Sequence, residues 1–359
     1  MEYYLFVSNR CNLNCGYCSI MVDAKKNNIP LSPIYSFKEL NLFIQKTQMK
    51  YNQKDLDIIF FGGEPTLDYK FILDLIIEQD KELHEFTIRY MLHTNGLLLK
   101  DIPDNILCRI STIMLSINSL EIPSIHLNDS YFESILSSIQ YIKRKSSVPI
   151  IGRFTITEKT SLYTIVMQFY HFFDYVYWQI ENCQKFSDYK IFFKAYTYDL
   201  QLLINVWEGF LKKGVILKLI PFLSCAFYHH KNMDNLKFLC GFNHSMLYIQ
   251  TDGLCYSCAE DFLSKKNLIG DIKTGIKYPD FSIKDIRCNS CEYLTMCFGR
   301  CGRMHSEFSD DHVTEYCKLN IAMFSYFKKN HEKIIEICQK NEISMENISF
   351  ITDYTEYVP

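Results

Sequence analysis

No apolar run in this 359-residue sequence approaches the roughly 20 residues that a membrane-spanning helix needs. The N-terminus, MEYYLFVSNRC, has no basic region, no long apolar stretch and no small-residue cleavage site, which excludes a secretory signal peptide. Neither sign of charge dominates. The net charge of −3 gives no general pull toward nucleic acid or anionic lipid. Internal repeats and low-complexity linkers are also missing. These absences describe a cytoplasmic protein that binds neither nucleic acid nor membrane. Its 48% hydrophobic content suffices for a sizeable core, and its length suits about two domains.

What is abundant is cysteine, at fifteen residues. A reducing compartment disfavours disulfides, and clustered cysteines there usually bind metal. The rest of the first 220 residues alternates strand and helix patterns. Strands are predicted at 3–8, 56–61, 86–93, 111–117, 149–157 and 175–180. Helices are predicted from the capping box Ser36-Phe37-Lys38-Glu39, with Phe37, Leu40 and Ile44 on one face, and near 69–82, 131–144, 161–172 and 198–213. About six β/α units imply a parallel sheet, open or curved into a partial barrel. From Cys225 to Cys317 the chain is rich in cysteine and turns and poor in long periodic segments, so metal is expected to hold it together. One amphipathic helix is predicted over 321–340.

The segment RCNLNCGYC places Cys11, Cys15 and Cys18 on one loop, spaced C-x3-C-x2-C, directly after the first strand. Thiolates suit zinc and iron–sulfur clusters. Three of them can hold three corners of a [4Fe–4S] cube and leave the fourth iron open. A zinc site completed by a distant residue is the other reading. The loop sits at the carboxyl end of the sheet, where β/α folds place their active sites. The next strand ends at the same edge in Gly62-Gly63-Glu64-Pro65. A glycine pair admits close backbone approach, and an acid beside it suits a ligand with a cationic amine.

Together the three cysteines, Tyr17 before the last of them and the GGEP turn resemble the radical S-adenosylmethionine (SAM) superfamily over roughly residues 3–220. The resemblance implies that SAM chelates the fourth iron through its amino and carboxylate groups. The GGEP turn would hold the amino group and the backbone near Tyr17 would flank the adenine. One electron from the cluster then cleaves SAM to methionine and a 5′-deoxyadenosyl radical, which abstracts hydrogen from an unactivated C–H bond. The cofactor carries the hard chemistry and the protein positions it. Thr94-Asn95-Gly96 matches the family's TNG, and Ser116 the serine of its SxD, with Asn118 where an acid is usual. Arg153 matches an arginine expected near the SAM carboxylate, a job suited to a guanidinium fork.

Toward the C-terminus, Cys288, Cys291, Cys297 and Cys301 are spaced C-x2-C-x5-C-x3-C, with Cys317 beyond. Cys240, Gly253 and Cys258 form C-x12-G-x4-C upstream. This pattern resembles the SPASM extension of radical SAM enzymes. The resemblance implies two auxiliary [4Fe–4S] clusters, three clusters in all. Cys288, Cys291, Cys297 and Cys317 would bind one. Cys240, Cys258 and Cys301 would bind the other, with Cys255 or Cys225 competing for its fourth place. The expected architecture is therefore α/β: a partial (β/α)6 TIM-like barrel over 1–220, a cysteine-rich SPASM domain over 221–320, and a C-terminal helix and tail over 321–359.

SPASM relatives mostly modify peptides or proteins, by crosslinking, epimerisation or oxidation, so a precursor peptide or protein is the expected substrate. The chain begins at its first strand without room for the leader-binding domain of many relatives, so a separate leader-binding protein is a further expected partner. A flavodoxin- or ferredoxin-type protein would supply electrons. Some relatives carry a catalytic acid directly after the G-x4-C cysteine. Here Ala259 stands there, leaving Glu260 and Asp261 as candidate bases. Cys183, just past the sixth strand with Trp178 and Glu181 nearby, is the candidate hydrogen donor for an epimerisation. Two other readings stand beside this one: a radical SAM enzyme acting on a small molecule in cofactor biosynthesis, and an iron–sulfur electron-transfer or metal-stabilised interaction protein.

Overall fold

The computed structural model describes residues 1–15, 18, 20, 26, 28–117, 130–181, 185–227, 238, 240–260, 265–279, 286–343 and 359. The chain forms two compact units. One comprises Met1–Ile151 and Gly241–Phe281, the other Gly152–Cys240 and Ser282–Pro359.

The first unit is built on strands β1 (Glu2–Ser8), β2 (Asp55–Gly62), β3 (Thr87–Thr94) and β4 (Ile110–Ile117), which pair in parallel in chain order. Consecutive parallel strands require a crossover. Helices α1 (Phe37–Lys50) and α2 (Tyr69–Glu82) supply the first two, and α3 (Ser130–Lys145) follows β4. The Ser36 capping box is formed in both directions, with the Glu39 N–H bonded to Ser36 Oγ and the Ser36 N–H to Glu39 Oε2. Leu40 and Ile44 are fully buried, while half-buried Phe37 meets Phe71 of α2 edge-on at 5.0 Å.

On its other edge β1 pairs with β7 (Met246–Ile249), also in parallel. Short antiparallel strands β8 (Leu254–Tyr256), β9 (Leu268–Asp271) and β10 (Gly275–Ile276) then continue outward. Strands β7 to β10 are thus part of the first unit's sheet, with order β10-β9-β8-β7-β1-β2-β3-β4. Within this unit the sheet keeps Tyr3, Leu5 and Val7 of β1 at zero exposure. Tyr3 donates its hydroxyl to Gln48 of α1 at 3.0 Å.

Between β4 and β7 in the chain come β5 (Ile150–Ile156), α4 (Leu162–Phe169), β6 (Tyr175–Ile180), α5 (Tyr189–Leu211) and α6 (Ile220–Phe227), and the long α7 (Asp310–Lys340) comes later. The core of the second unit is aromatic. Phe222 of α6 lies 5.3 Å from Trp178, 5.9 Å from Trp207 and 5.2 Å from Phe327. Such ring pairs add about 0.5–1.5 kcal/mol each beyond the area they bury. Trp178 is fully buried and bonds Tyr196 Oη, so it is a core residue, not a pocket wall. Among the described residues no helix is long and apolar enough to cross a membrane.

Candidate active site at the carboxyl end of the first unit's sheet

Three strand-end loops meet at the carboxyl edge of β1, β2 and β3. After β1 the chain runs into Cys11, Cys15 and Cys18, all partly exposed, with a tight turn in which the Cys18 N–H bonds Cys15 O at 3.2 Å. The GGEP turn is clipped to this loop by main-chain bonds. Gly63 N–H donates to Ser8 O and Glu64 N–H to Arg10 O, each at 2.8 Å.

Gly62 is needed for this clip. Its φ of +131° is poorly open to side chains, and a Cβ there would stand 2.3 Å from Ser8 O. The close approach predicted from the glycine pair is therefore made, at Gly62, to the protein's own first strand. Gly62→Ala should destabilise the chain by about 3 kcal/mol or more, since strain and a backbone clash add. Denaturant unfolding under anaerobic conditions checks this, and a variant within 0.5 kcal/mol of wild type, roughly the surface-substitution range, would refute the reading.

Glu64 is the hub. It is 1% exposed. Its Oε1 accepts from Thr66 N–H at 3.1 Å, Thr66 Oγ1 at 2.5 Å and Thr94 Oγ1 at 2.7 Å, and its Oε2 accepts from Asn95 N–H at 2.8 Å. Burial pushes its carboxyl up, and the bonds from Asn95, Thr66 and Thr94 oppose that without cancelling it. All of these donors are neutral, so a carboxylate buried here lacks the cation that such a charge normally needs. Pro65 is buried and opens a single turn, Pro65–Asp68, whose Asp68 pairs with Arg10.

Asn95 closes the ring. Its Nδ2 donates to Asn12 Oδ1 at 2.7 Å and approaches Cys11 Sγ at 4.0 Å, while its Oδ1 accepts from Leu97 N–H. The Leu13 N–H also points at Cys11 Sγ, at 3.4 Å. Burial pushes the Cys11 thiol up, and these two N–H groups pull it back. Donors aimed at sulfur fit a thiolate that ligates a metal or cluster. Among the described residues no group of three or more His, Cys, Asp and Glu stands in the geometry of a single-metal site.

Ser116, on β4, bonds His93 Nε2 at 3.0 Å, and the His93 ring lies 5.1 Å from Phe61. His93 was not a sequence candidate, though it directly precedes Thr94 and strand alternation puts it on the other face. That face also carries Tyr4 and Tyr248, stacked at 4.4 Å, with Phe61 edge-on to Tyr4 at 5.6 Å. In the second unit Arg153 of β5 bonds the Gln179 side chain of β6. Tyr17, Cys183 and Asp261 lie outside the described residues, and Glu260 is half-buried just past Cys258.

Cys288, Cys291, Cys297 and Cys317 belong to the second unit. Desolvation pushes the Cys297 thiol up most. Cys317, Cys288 and Cys291 add to this, and Arg300 opposes it. Three thiols and one guanidinium are thus within electrostatic reach of Cys297. Arg300 is 8% exposed, in the left-handed region at φ 54°, as are Phe298 and Gly299 before it. It stacks over Tyr316 at 4.8 Å and donates to Pro359 O at 2.7 Å. Its Nη2 is buried without a partner among the described residues. Pro359 is the C-terminal residue and Nη1 contacts Met304 Sδ, so among the described residues only Nη2 is left for a further acceptor. Cys225 and Cys255 are both buried with thiols pushed well up by desolvation. The former is next influenced by Cys297, and the latter by Asp271 and Asp252. Cys240 and Cys301 lie in the second unit and Cys258 in the first, all three partly exposed.

Residues 5–156 match the model of the Radical SAM superfamily. The radical SAM cyclopropyl synthase TigE of Paramaledivibacter caminithermalis is 24% identical over 337 residues, covering 83% of this chain and 66% of its own length. An uncharacterized protein of Methanocaldococcus jannaschii is 30% identical over 125 residues, covering 34% of this chain and 40% of its own. The chain thus spans just under two thirds and two fifths of the length of these relatives. Among solved structures, native anSMEcpe with bound AdoMet matches with a TM-score of 0.70 at 20% identity, covering 94% of this chain and 99% of that one. The same protein with AdoMet and the Cp18Cys peptide matches at 0.68 and 19% identity, again over 94% and 99%. These likenesses show the fold, a mixed α/β architecture on a parallel sheet. Over residues 5–156, the part that carries the cysteine loop and the buried Glu64 hub, the chain is similar to the Radical SAM superfamily.

Proposed function

We propose that this enzyme modifies a peptide or protein, with Cys11, Cys15 and Cys18 holding a [4Fe–4S] cluster at which SAM binds, and with a SPASM extension over 221–320. When bound, the cluster and SAM together supply a 5′-deoxyadenosyl radical by one-electron cleavage, and hence hydrogen abstraction from the substrate. The chain's own residues do the positioning. Glu64 balances the ammonium of the methionine end, Gly63 and Pro65 fix the turn that carries it, and Thr94 and Asn95 hold the carboxylate in place. The backbone near Tyr17 flanks the adenine, Ser116 serves the ribose or methionine part, and Arg153 the carboxylate. Around the other thiols, Cys288, Cys291, Cys297 and Cys317 bind one auxiliary cluster, with Arg300 as its counter-charge. Cys240, Cys258 and Cys301, with Cys225 or Cys255, bind the other. Glu260 or Asp261 takes the substrate proton, or Cys183 returns a hydrogen atom. A flavodoxin- or ferredoxin-type protein delivers electrons, and a separate protein presents the leader.

The observation that carries this reading is the SPASM-like spacing of Cys288, Cys291, Cys297 and Cys317, with Cys297 within electrostatic reach of the other three and of Arg300, because such extensions go with peptide and protein substrates. The peptide-bound anSMEcpe structure supports it at the level of fold. The test is anaerobic incubation with SAM, reductant and the small peptides encoded beside the gene, synthesised with deuterium on their side chains. Deuterium in 5′-deoxyadenosine, with a mass change in one peptide, is the expected result. Abundant 5′-deoxyadenosine that takes no deuterium from any peptide, but does from a labelled small metabolite, would favour the cofactor-biosynthesis reading instead.

A further inference from the structure

His305 sits on the short helix Gly302–Glu307 of the second unit, and no proposed ligand set includes it. It lies four residues past Cys301, and its ring packs 6.1 Å from that of buried Phe238. Its Nε2 stands 2.8 Å from Gly299 O and 3.9 Å from Cys288 Sγ. A carbonyl oxygen can only accept, so Nε2 carries the hydrogen. This fixes its chemistry toward the sulfur. A nitrogen that holds a proton has no lone pair for iron or zinc, but it is an N–H donor for a thiolate.

The carbonyl it holds belongs to a costly turn. Phe298, Gly299 and Arg300 have φ of 50°, 73° and 54°. Two of the three carry side chains, each costing about 1–2 kcal/mol in the left-handed region. Such strain persists only where the surroundings over-determine it. Here the Phe298 N–H bonds Leu294 O at 2.8 Å, the Arg300 N–H bonds Cys297 O at 2.9 Å, and His305 takes Gly299 O. The turn joins Cys297 to Cys301, which belong to different clusters in the proposed assignment. One imidazole thus touches both the link between two cluster loops and the sulfur of Cys288. At 3.9 Å the N–H gives a neutral thiol little, but a charged thiolate draws such a donor closer and bonds it more strongly.

We propose that His305 is a positioning residue for the auxiliary cluster on Cys288, and that its Nε2–H, shared between Gly299 O and the Cys288 thiolate, raises that cluster's reduction potential. The sign follows from charge. Reduction adds an electron to a cluster whose sulfurs already carry negative charge, so a donor stabilises the reduced form more. Hydrogen bonds to the sulfurs are among the features that set such potentials. This rests on the auxiliary clusters of the proposed assignment, and iron content tests those separately. The full-length protein carrying Cys15→Ala, which leaves only the C-terminal iron, is reconstituted anaerobically with its histidines labelled in nitrogen-15. Reductive titration followed by electron paramagnetic resonance compares it with His305→Gln and His305→Phe in the same background. Glutamine can place an amide N–H near the position of Nε2, while phenylalanine keeps a ring against Phe238 and donates nothing.

With His305 in place, one reduced cluster should show a weak nitrogen coupling that both variants lack. In His305→Phe the midpoint of that cluster moves lower, its reduction equilibrium weakened about threefold or more, as for one lost hydrogen bond. In His305→Gln it stays closer to the parent, and the other cluster's midpoint is the same in all three proteins. A strong coupling, that of nitrogen bound to iron, overturns the proposal, and so does no coupling at all. Equal midpoints in the three proteins overturn it too, because His305 would then only hold the turn. The coupling is read on unsubstituted His305, so it decides even where the phenylalanine variant loses its iron. Absence of iron from the C-terminal cysteines in every protein would strike the auxiliary-cluster reading itself, and the proposal with it.

Discussion

Cys15→Ala will remove about four iron atoms per chain and abolish 5′-deoxyadenosine formation, leaving the iron of the C-terminal cysteines in place. The size of the effect follows from ligand count. A cube with three protein thiolates has none to spare, and the loop from Cys11 to Cys18 offers no other sulfur. The C-terminal thiols Cys288, Cys291, Cys297 and Cys317 lie in the other compact unit, so their iron should survive. Cys108→Ala is the matched control, because that thiol is exposed in the turn before β4 and, among the described residues, bonds only Asn105 O. It should change neither iron nor product. Iron analysis with chromatography of the SAM products checks both variants. Retention of full iron in Cys15→Ala would contradict the assignment.

Glu64→Ala has the second large effect, on both fold and cofactor. Its carboxylate is the acceptor for the Thr66 and Asn95 N–H groups and the Thr66 and Thr94 hydroxyls. Truncation strands these buried donors at about 1–3 kcal/mol each, less whatever water recovers. A loss of about 3–5 kcal/mol is expected in anaerobic denaturant unfolding, comparable to breaking a buried charged network. Glu64→Gln keeps an oxygen for the Thr66 and Thr94 bonds but turns an amide N–H toward Asn95 N–H. Its loss should be about half as large, while SAM binding falls in both variants because the counter-charge is gone. If Glu64→Ala melts like the wild type, the ring of loops is not held as described.

Much of the strand–helix alternation over the first 220 residues was legible because long strands and amphipathic helices write their period into the chain. The segment LDIIFF fell within Asp55–Gly62, and 69–82 and 175–180 matched α2 and β6. The GGEP and TNG turns were legible as motifs, but not the way they join. The Glu64 carboxylate reaching Thr94, thirty residues on, is a contact that no spacing reveals. The helix predicted at 198–213 begins nine residues earlier, at Tyr189, capped by Asp188. Its first turns are so aromatic that they carry little amphipathic contrast. Likewise α7 starts at Asp310, not at 321, because Cys317 and its neighbours read as metal-site texture. Yet Asp310 and Asp311 behind Ser309 are ordinary helix-start signals.

The strands β7 to β10 were missed for a simpler reason. Elements of two to four residues are too short to show alternation, and their turns run through Gly253 at φ +87° and Gly275 at φ +92°. What looked like one metal-bound region therefore divides, with β7 to β10 extending the first sheet beyond β1.

The most direct measurement is anaerobic incubation of the reconstituted full-length protein with SAM and dithionite, followed by quantifying 5′-deoxyadenosine and methionine. Equal amounts of both, formed only when the three-cysteine loop carries iron, are predicted. Zinc bound stoichiometrically by Cys11, Cys15 and Cys18, with no 5′-deoxyadenosine above the reagent blank, would contradict the account.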